Sequence, residues 1–269
     1  MKRFLTITAH SMVLPGENDN WKSAVPAKMK RRDARIWQMA MAAVNPLIGA
    51  TGTADRPRSV IVGTALGALE ETRQFLDGVF TDGLGSPRNF ISSVHNSIAG
   101  KIALEYGIGG PNLTICDSHN SLASALVTID LLDDDDFPIL LCCIDERIPL
   151  IDELLPHFSR RCTQYLSPEW KEAAVAFIID LPDTPGRPVR AFGPFCTQRR
   201  DPEFVCRSVL QKELPTFTGR FLFNESTTSF VQPAVTAATV LDTIPTHAVI
   251  GSYSPTSGAA ALVEIGPST

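Results

Sequence analysis

Apolar runs alternate with amphipathic stretches along most of the chain. Continuous apolar runs such as 59–65 and 137–145 are typical of buried strands, and apolar residues at helical spacing, as in 33–48, predict the helices between them. The predicted strands are 4–10, 59–65, 112–116, 137–145, 172–181, 219–224, 246–253 and 259–265. The predicted helices are 33–48, 69–80, one within 86–108, 120–132, 150–158, 201–214 and 229–242. This alternation favours an α/β fold with a mostly parallel central sheet and helices on both faces.

A Pro-rich stretch from 182 to 218 interrupts the alternation. Apart from the predicted helix at 201–214, it follows neither the helical nor the strand period. We therefore interpret it as an irregular connection or an insertion.

Composition and charge limit the classes of function. The chain has 269 residues, 44% of them hydrophobic, and a formal net charge of −5, which is ordinary for one large or two small globular domains. An acidic balance favours neither a nucleic-acid-binding surface nor a surface for an anionic membrane. The basic cluster at 28–35 is the exception, and it is either a solvated helix start or a docking patch for an acidic partner.

Targeting and metal-binding signals are missing from the sequence. The apolar runs are too short to span a membrane, and 1–16 is better interpreted as a first strand than as a signal peptide, so we expect a cytoplasmic protein. The cysteines and histidines lack CxxC and HExxH spacing, and the glycines of 63–70 follow no phosphate-binding pattern. We therefore expect no metal and no cofactor.

Candidate chemistry is concentrated in the stretch "GGPNLTICDSHNSLASAL" at 109–126. It predicts a tight turn, a short strand and the start of a helix, and a helix N-terminus at such a junction can stabilise a thiolate or an oxyanion. Cys116, Ser118 and His119 are the candidates for a nucleophile or a base. A capped turn that performs no chemistry is an equally good interpretation of the same residues.

The same region resembles the core of the β-ketoacyl synthases, which have the thiolase-like fold. The resemblance rests on "SVHNSIAG" at 93–100, on "GPNLT" at 110–114 and on the turn and helix that follow, with further similarity at 59–75 and 251–265. It implies a layered α/β fold. The N-terminal half, 1–181, would be complete, and the C-terminal portion, 182–269, would be an abbreviated second half that completes the fold.

The departures from the family pattern concern the catalytic residues. Counting from Gly110, the family's nucleophilic cysteine falls on His119, whereas Cys116 lies earlier, inside the predicted strand. The family's two catalytic histidines lie in "HGTGT" and "GH" motifs. His247 belongs to neither motif, and the "GH" position falls near Asn224–Glu225. The resemblance therefore implies a non-catalytic member whose nucleophile position, His119, is degenerate.

Shortened members that lack the nucleophile resemble chain length factors, such as those of bacterial aryl polyene biosynthesis. The resemblance implies a heterodimer with an active ketosynthase in polyene, polyketide or fatty-acid-type chain elongation, in which this chain helps to form the acyl tunnel, with acyl carrier protein as a further partner. In this fold the strand before the nucleophile pairs across the dimer axis. The implied interface residues are Phe90, Ser93, Val94, His95, Asn96, Asn112, Leu113, Thr114, Ile115 and Cys116.

Two other functions stay open. An active acyltransferase or hydrolase would use Cys116, Ser118 or His119, and it requires a base within hydrogen-bond reach of the nucleophile. A small-molecule binding module would use only the family's acyl tunnel.

Overall fold

The computed structural model describes residues 3–16, 19–27, 29, 33–50, 56–154, 157, 170–196, 201–224 and 229–267. The strands are β1 (Leu5–Val13), β2 (Ser59–Thr64), β3 (Asn112–Cys116), β4 (Ile139–Asp145), β5 (Ala173–Asp180), β6 (Arg187–Cys196), β7 (Arg220–Phe223), β8 (Ala248–Ser254) and β9 (Ala259–Ile265). The α-helices are α1 (Arg35–Ala50), α2 (Leu69–Asp82), α3 (Pro87–Ser93), α4 (Ser97–Tyr106), α5 (Ser121–Ile129), α6 (Pro149–Leu154), α7 (Pro202–Glu213) and α8 (Gln232–Thr243). Parts of the basic cluster at 28–35 and of the predicted helix at 150–158 lie outside the described residues.

These strands form one sheet in the order β3-β2-β4-β5-β1-β6-β9-β8-β7. The prediction of a mostly parallel sheet is wrong, because only β2–β3, β2–β4 and β7–β8 pair in parallel and the other neighbours are antiparallel. The sequence pattern led to the wrong strand direction because β8 and β9 are buried along their whole length. An antiparallel strand covered on both faces has the continuous apolar run that is typical of a parallel strand.

A strand lies in the Pro-rich region that we predicted to be irregular. β6 occupies Arg187–Cys196 and pairs with β1 on one side and β9 on the other. Its prolines are compatible with a strand because Pro188 is near the start and Pro194 lies where the register with β9 shifts, between Phe192 and Phe195. Prolines in sheets occur at strand starts and bulges, where no ladder hydrogen bond is lost.

The helices cover the sheet in layers, as predicted. On β2, Val60 and Val62 face α1 and α4, whereas Ile61 faces the opposite side, where it joins the core around α5 and α8. That second core also contains Val189 of β6 and Ile250 of β8. α5 and α8 therefore lie between the two strand sets, β3-β2-β4-β5-β1 and β6-β9-β8-β7, while α7 covers the far face of the second set.

The single helix predicted within 86–108 is divided into α3 and α4. α3 ends at Ser93, the next residue, Val94, has extended dihedral angles, and α4 begins at Ser97. The predicted stop is confirmed, because Gly107 caps α4 with a left-handed φ of 68°. The division leaves Val94, His95 and Asn96 exposed beside β3. Within the described residues, no helix combines the length and the apolar character that a membrane crossing requires.

Candidate functional site

The candidate site is the turn between β3 and α5. Ser118 has a φ of 49°, a left-handed value that non-glycine residues rarely adopt, and a short 3-10 helix at Ser118–Asn120 leads into α5. Hydrogen bonds hold the turn from both sides. The Ser121 hydroxyl donates to the carbonyl oxygen of Thr64 at 2.8 Å, and the Asn120 side chain donates to the carbonyl oxygen of Ala259 at 3.0 Å. The turn is thus fixed by β2 and by the last strand of the chain.

His119 fills the space at the centre of the turn. Its side chain is 3% exposed, and its ring lies 4.8 Å from the ring of Phe230, centroid to centroid. Phe230 in turn meets the edge of the fully buried Trp170 at 6.0 Å. The cavity beside His119, as bounded by the described residues, has a volume of about 10 Å³, which is at the lower limit for one water molecule. An acyl substrate cannot enter it without displacing these rings.

Asp145, the last residue of β4, supports the other wall of this cavity. It is 1% exposed, and its carboxylate accepts hydrogen bonds from the Thr64 hydroxyl at 2.7 Å and from the backbone N–H of Leu66 at 2.8 Å and of Ala65 at 2.9 Å. Burial raises the pKa of Asp145 to about 6, although these hydrogen bonds oppose the rise. Through these hydrogen bonds the carboxylate connects the end of β4 to the end of β2 and the loop that follows it, and it holds this loop in place.

Replacing this carboxylate should destabilise the fold. Asp145→Ala removes the acceptor of the buried Thr64 hydroxyl and of the half-buried N–H groups of Ala65 and Leu66, so we expect the free energy of unfolding at pH 7 to fall by about 2 kcal/mol. Urea denaturation followed by circular dichroism measures the change. Asp133→Ala, at an exposed position whose side chain makes no capping bond, is the control and should change stability by less than about 0.5 kcal/mol. Equal effects of the two substitutions would contradict the structural role of Asp145.

Cys116 and Ser118 differ in their suitability for chemistry. Cys116 is the last residue of β3, within the strand as predicted, and its side chain is exposed. Partial burial of its sulfur, with the nearby Asp145 carboxylate, raises the pKa of its thiol, so the thiolate is disfavoured. The Ser118 hydroxyl lies 3.1 Å from Nδ1 of His119. A serine and a base are therefore adjacent, but the cavity beside them is closed.

The two downstream positions named in the sequence analysis have partners outside the turn. Asn224, near which we placed the second family histidine, hydrogen-bonds Thr236 on α8 at 2.8 Å, and Glu225 lies outside the described residues. Phe230, which lies two residues before α8, packs against the turn, and the sequence analysis did not identify it. Its position at the start of the predicted helix 229–242 was the only feature of the sequence that could have indicated this contact. His247 is engaged elsewhere, with Nε2 2.6 Å from the buried carboxylate of Glu264.

None of the ten predicted interface residues is buried in the chain. Six are exposed: Phe90, Val94, His95, Asn96, Leu113 and Cys116. Four are half-buried: Ser93, Asn112, Thr114 and Ile115. Eight of the twelve large apolar side chains exposed among the described residues lie between 76 and 113, and they are Leu76, Phe80, Leu84, Phe90, Ile91, Val94, Leu104 and Leu113. Exposed apolar surface is therefore concentrated on α2, α3, α4 and β3.

β3 forms one edge of the sheet, and its outer backbone groups have no strand partner in the described chain. The N–H of Val60 on β2 donates to the carbonyl oxygen of Pro111. This bond determines which residues of β3 direct their backbone groups toward β2 in the parallel pair. Every second residue of β3 therefore faces β2, and the N–H groups of Asn112, Thr114 and Cys116 point outward. The open edge is five residues long and is flanked by exposed apolar side chains.

No metal centre emerges from the described part of the chain, where no three His, Cys, Asp or Glu side chains are grouped so as to share an ion. A separate cavity of about 440 Å³ lies between the end of β1 and α8. Its walls include Lys171 and Ser229, the residues next to Trp170 and Phe230.

Comparisons with known proteins identify the fold. Residues 6–178 match the family model of the β-ketoacyl synthase N-terminal domain. The solved structure of the ishigamide ketosynthase/chain length factor is similar with a TM-score of 0.75 at 14% identity, covering 99% of this chain and 100% of that one. The ketosynthase ApeO in complex with its chain length factor ApeC from Xenorhabdus doucetiae is similar with a TM-score of 0.54 at 18% identity, covering 80% and 93%.

A third similar structure is AntDE:AntF, a type II polyketide synthase acyl carrier protein in complex with its ketosynthase. Its TM-score is 0.67 at 11% identity, and the match covers 98% of this chain and 99% of that one. A search of the curated proteins finds no match. The expected thiolase-like, layered α/β fold is confirmed, and the division into a complete N-terminal half and an abbreviated C-terminal half stays a prediction.

Proposed function

The chain belongs to the β-ketoacyl synthase family, and we propose that within it the chain is a non-catalytic, chain-length-factor-like subunit. It pairs with an active ketosynthase through the open edge of β3 and contributes to the acyl tunnel of that partner. Chain elongation of the aryl polyene or polyketide type is the reaction it serves, and the acyl carrier protein that delivers the growing chain is a further partner.

The observation that carries the proposal is the filled turn. A ketosynthase must admit a thioester to a nucleophile and stabilise the oxyanion that forms. Here His119 occupies the nucleophile position, Phe230 packs on it, and the remaining space is about 10 Å³. The turn is well formed, but the cavity beside it is too small for a substrate. This combination supports a subunit whose role is assembly rather than catalysis.

The free edge of β3 supports the pairing. An apolar edge strand with outward N–H groups is an aggregation hazard unless a partner covers it. Two related subunits that share one continuous sheet satisfy these groups, and similar structures include complexes of a ketosynthase with its chain length factor. The ten interface residues predicted from the sequence all retain exposed surface for such a partner.

The alternative is an acyltransferase or hydrolase that uses Ser118 with His119 as its base. The 3.1 Å contact between the Ser118 hydroxyl and Nδ1 of His119 favours it. It requires Phe230 to move away from His119, so that a substrate can reach the serine. Labelling of Ser118 by a serine-reactive acyl probe, detected by mass spectrometry of the peptide, distinguishes this function from the proposed one.

We expect no condensation by the isolated chain. Incubation with acyl and malonyl thioesters of acyl carrier protein should give neither condensed product nor decarboxylation above the no-enzyme control. His119→Cys should not restore activity, because Phe230 still packs at the turn and the sequence contains neither of the family's two histidine motifs. Product formation by the wild-type chain would contradict the proposal.

The assembly itself is tested by co-expression with an active ketosynthase encoded beside the gene for this chain. Size-exclusion chromatography should give a 1:1 complex, and the chain expressed alone should be poorly soluble because its β3 edge is uncovered. A stable monomer that forms no complex with the co-expressed ketosynthase would overturn the partner-subunit function.

A further inference from the structure

A second cavity, of about 610 Å³, lies on the opposite side of the β4 terminus from the turn. It is bounded by the start of α1, by α2 and α3, and by the chain around α6. Its size is within the range of small-molecule sites. Three arginines line it: Arg35, Arg88 and Arg147. Six carboxyl groups line it: Asp33, Glu70, Glu71, Glu146, Asp152 and Glu172.

Most of these carboxyl groups already have donors. Glu172 pairs with Arg35 and also accepts the backbone N–H of Arg147, whose guanidinium lies 2.9 Å from the Asp152 carboxylate. The remaining pairs involve α2, where Glu70 is 2.6 Å from Arg73 and Glu71 accepts the Ser92 hydroxyl at 2.8 Å. The cavity wall is therefore built of charged groups that neutralise one another, with an excess of carboxyl groups.

Glu146 is the exception. It follows Asp145 directly, so its side chain points away from the turn and into the 610 Å³ cavity. The side chain is 2% exposed, and its buried Oε1 atom has no hydrogen-bond donor among the described residues. Burial and the neighbouring carboxylates of Glu71 and Glu70 raise its pKa to about 8. A buried carboxylate without a donor is costly, so the site has unused capacity for a positive, hydrogen-bond-donating group.

We propose that this cavity binds a small organic cation, with the ammonium or guanidinium group donating to Glu146. A metal ion fits less well, because divalent cations need several oxygen ligands at one point and the described acidic side chains provide no such group of three. An ammonium or guanidinium group, in contrast, needs one buried carboxylate and surrounding negative charge. The proposal does not depend on the partner-subunit function.

Calorimetric titration with putrescine tests the proposal on the 269-residue chain, in whatever assembly it purifies. Because the cation binds the ionised form of Glu146, whose pKa is about 8, affinity should rise about fivefold from pH 7 to pH 8 and by less than about twofold more from pH 8 to pH 9. Titrations at pH 7 in two buffers of different ionisation enthalpy should show release of nearly one proton. Butane-1,4-diol, the neutral analogue, should not bind.

Glu146→Gln should weaken putrescine binding at pH 9 by at least tenfold and abolish the pH dependence. The control Glu203→Gln changes an exposed, paired carboxylate on α7 and should bind as the wild type does. Three outcomes would overturn the proposal: no saturable binding at pH 9, unchanged binding by Glu146→Gln, or displacement of putrescine by stoichiometric Mg²⁺. Proton release by the wild-type chain remains decisive even if a variant fails to fold.

Discussion

Thr114→Pro is expected to weaken the proposed pairing with a ketosynthase roughly 100-fold in Kd while leaving the chain folded. The N–H of Thr114 points to the open edge of β3, so its loss removes a hydrogen bond to the partner strand and none to β2. With the strain of a proline ring at the interface, we expect binding to weaken by about 2–3 kcal/mol, or roughly 100-fold in Kd. Surface plasmon resonance or co-purification yield with the ketosynthase measures the loss.

Two further variants at this strand make the test specific. Thr114→Val keeps the backbone donor and removes only the hydroxyl, which makes a 3.3 Å contact with the side chain of Asn96, so pairing should survive. Ile115→Pro instead removes an N–H that faces β2, and it should lower the stability of the chain itself. If Thr114→Pro and Thr114→Val pair equally well with the ketosynthase, the edge of β3 is not the interface.

The sequence identified the turn because the relevant signals are local. The "GPNLT" strand and the residues at 116–120 are contiguous, so their order alone predicted a strand, a turn and a helix. Position counting within the same segment placed His119 at the nucleophile site, and the structure puts that side chain at the centre of the turn. Local pattern was enough to locate the strand, the turn and the helix, whereas the correspondence of His119 to the nucleophile position stays a prediction from the family resemblance.

The contacts that close the site could not be predicted in this way. Phe230 meets His119, and Trp170 packs behind Phe230, only because distant parts of the chain come together in the fold, which no local pattern encodes. The same limit explains β6, whose strand conformation depends on neighbours on both sides and prevails over its prolines. Buried antiparallel and parallel strands likewise share one sequence pattern, so the direction of pairing required the fold.

Glu146 is a comparable case, because a Glu after a buried strand predicts nothing about its neighbours. Asp145 and Glu146 are adjacent and both buried, yet they face different cavities and have different partners. Asp145 receives several donors, while Oε1 of Glu146 receives none from the described residues. Hydrogen bonds therefore offset part of the cost of ionising Asp145, whose pKa rises only to about 6, whereas Glu146 lacks this compensation and its pKa rises to about 8.

This difference predicts that Glu146→Gln stabilises the chain at alkaline pH. The pKa of Glu146 is raised from 4.5 to about 8 in the folded chain. A carboxyl group of this kind contributes stability below its unfolded pKa, and that contribution is lost as the pH rises through the folded value. At pH 9 the wild-type chain should therefore be less stable than Glu146→Gln by on the order of 4 kcal/mol, with the difference vanishing near pH 4.

Urea denaturation at a series of pH values from 4 to 9 measures this difference. The groups that face Glu146 are the carboxylates of Asp33, Glu70, Glu71, Asp152 and Glu172 and the guanidiniums of Arg35, Arg88 and Arg147. They are present in both chains, as is Asp145 with its pKa of about 6, so their titration largely cancels in the comparison. Glu203→Gln, at an exposed ion pair, should change stability by less than about 1 kcal/mol at any pH. If the difference in free energy of unfolding between wild type and Glu146→Gln does not grow between pH 6 and pH 9, the prediction is wrong. Glu146 would then ionise without a cost in stability, because solvent or a hydrogen-bond donor reaches its buried oxygen.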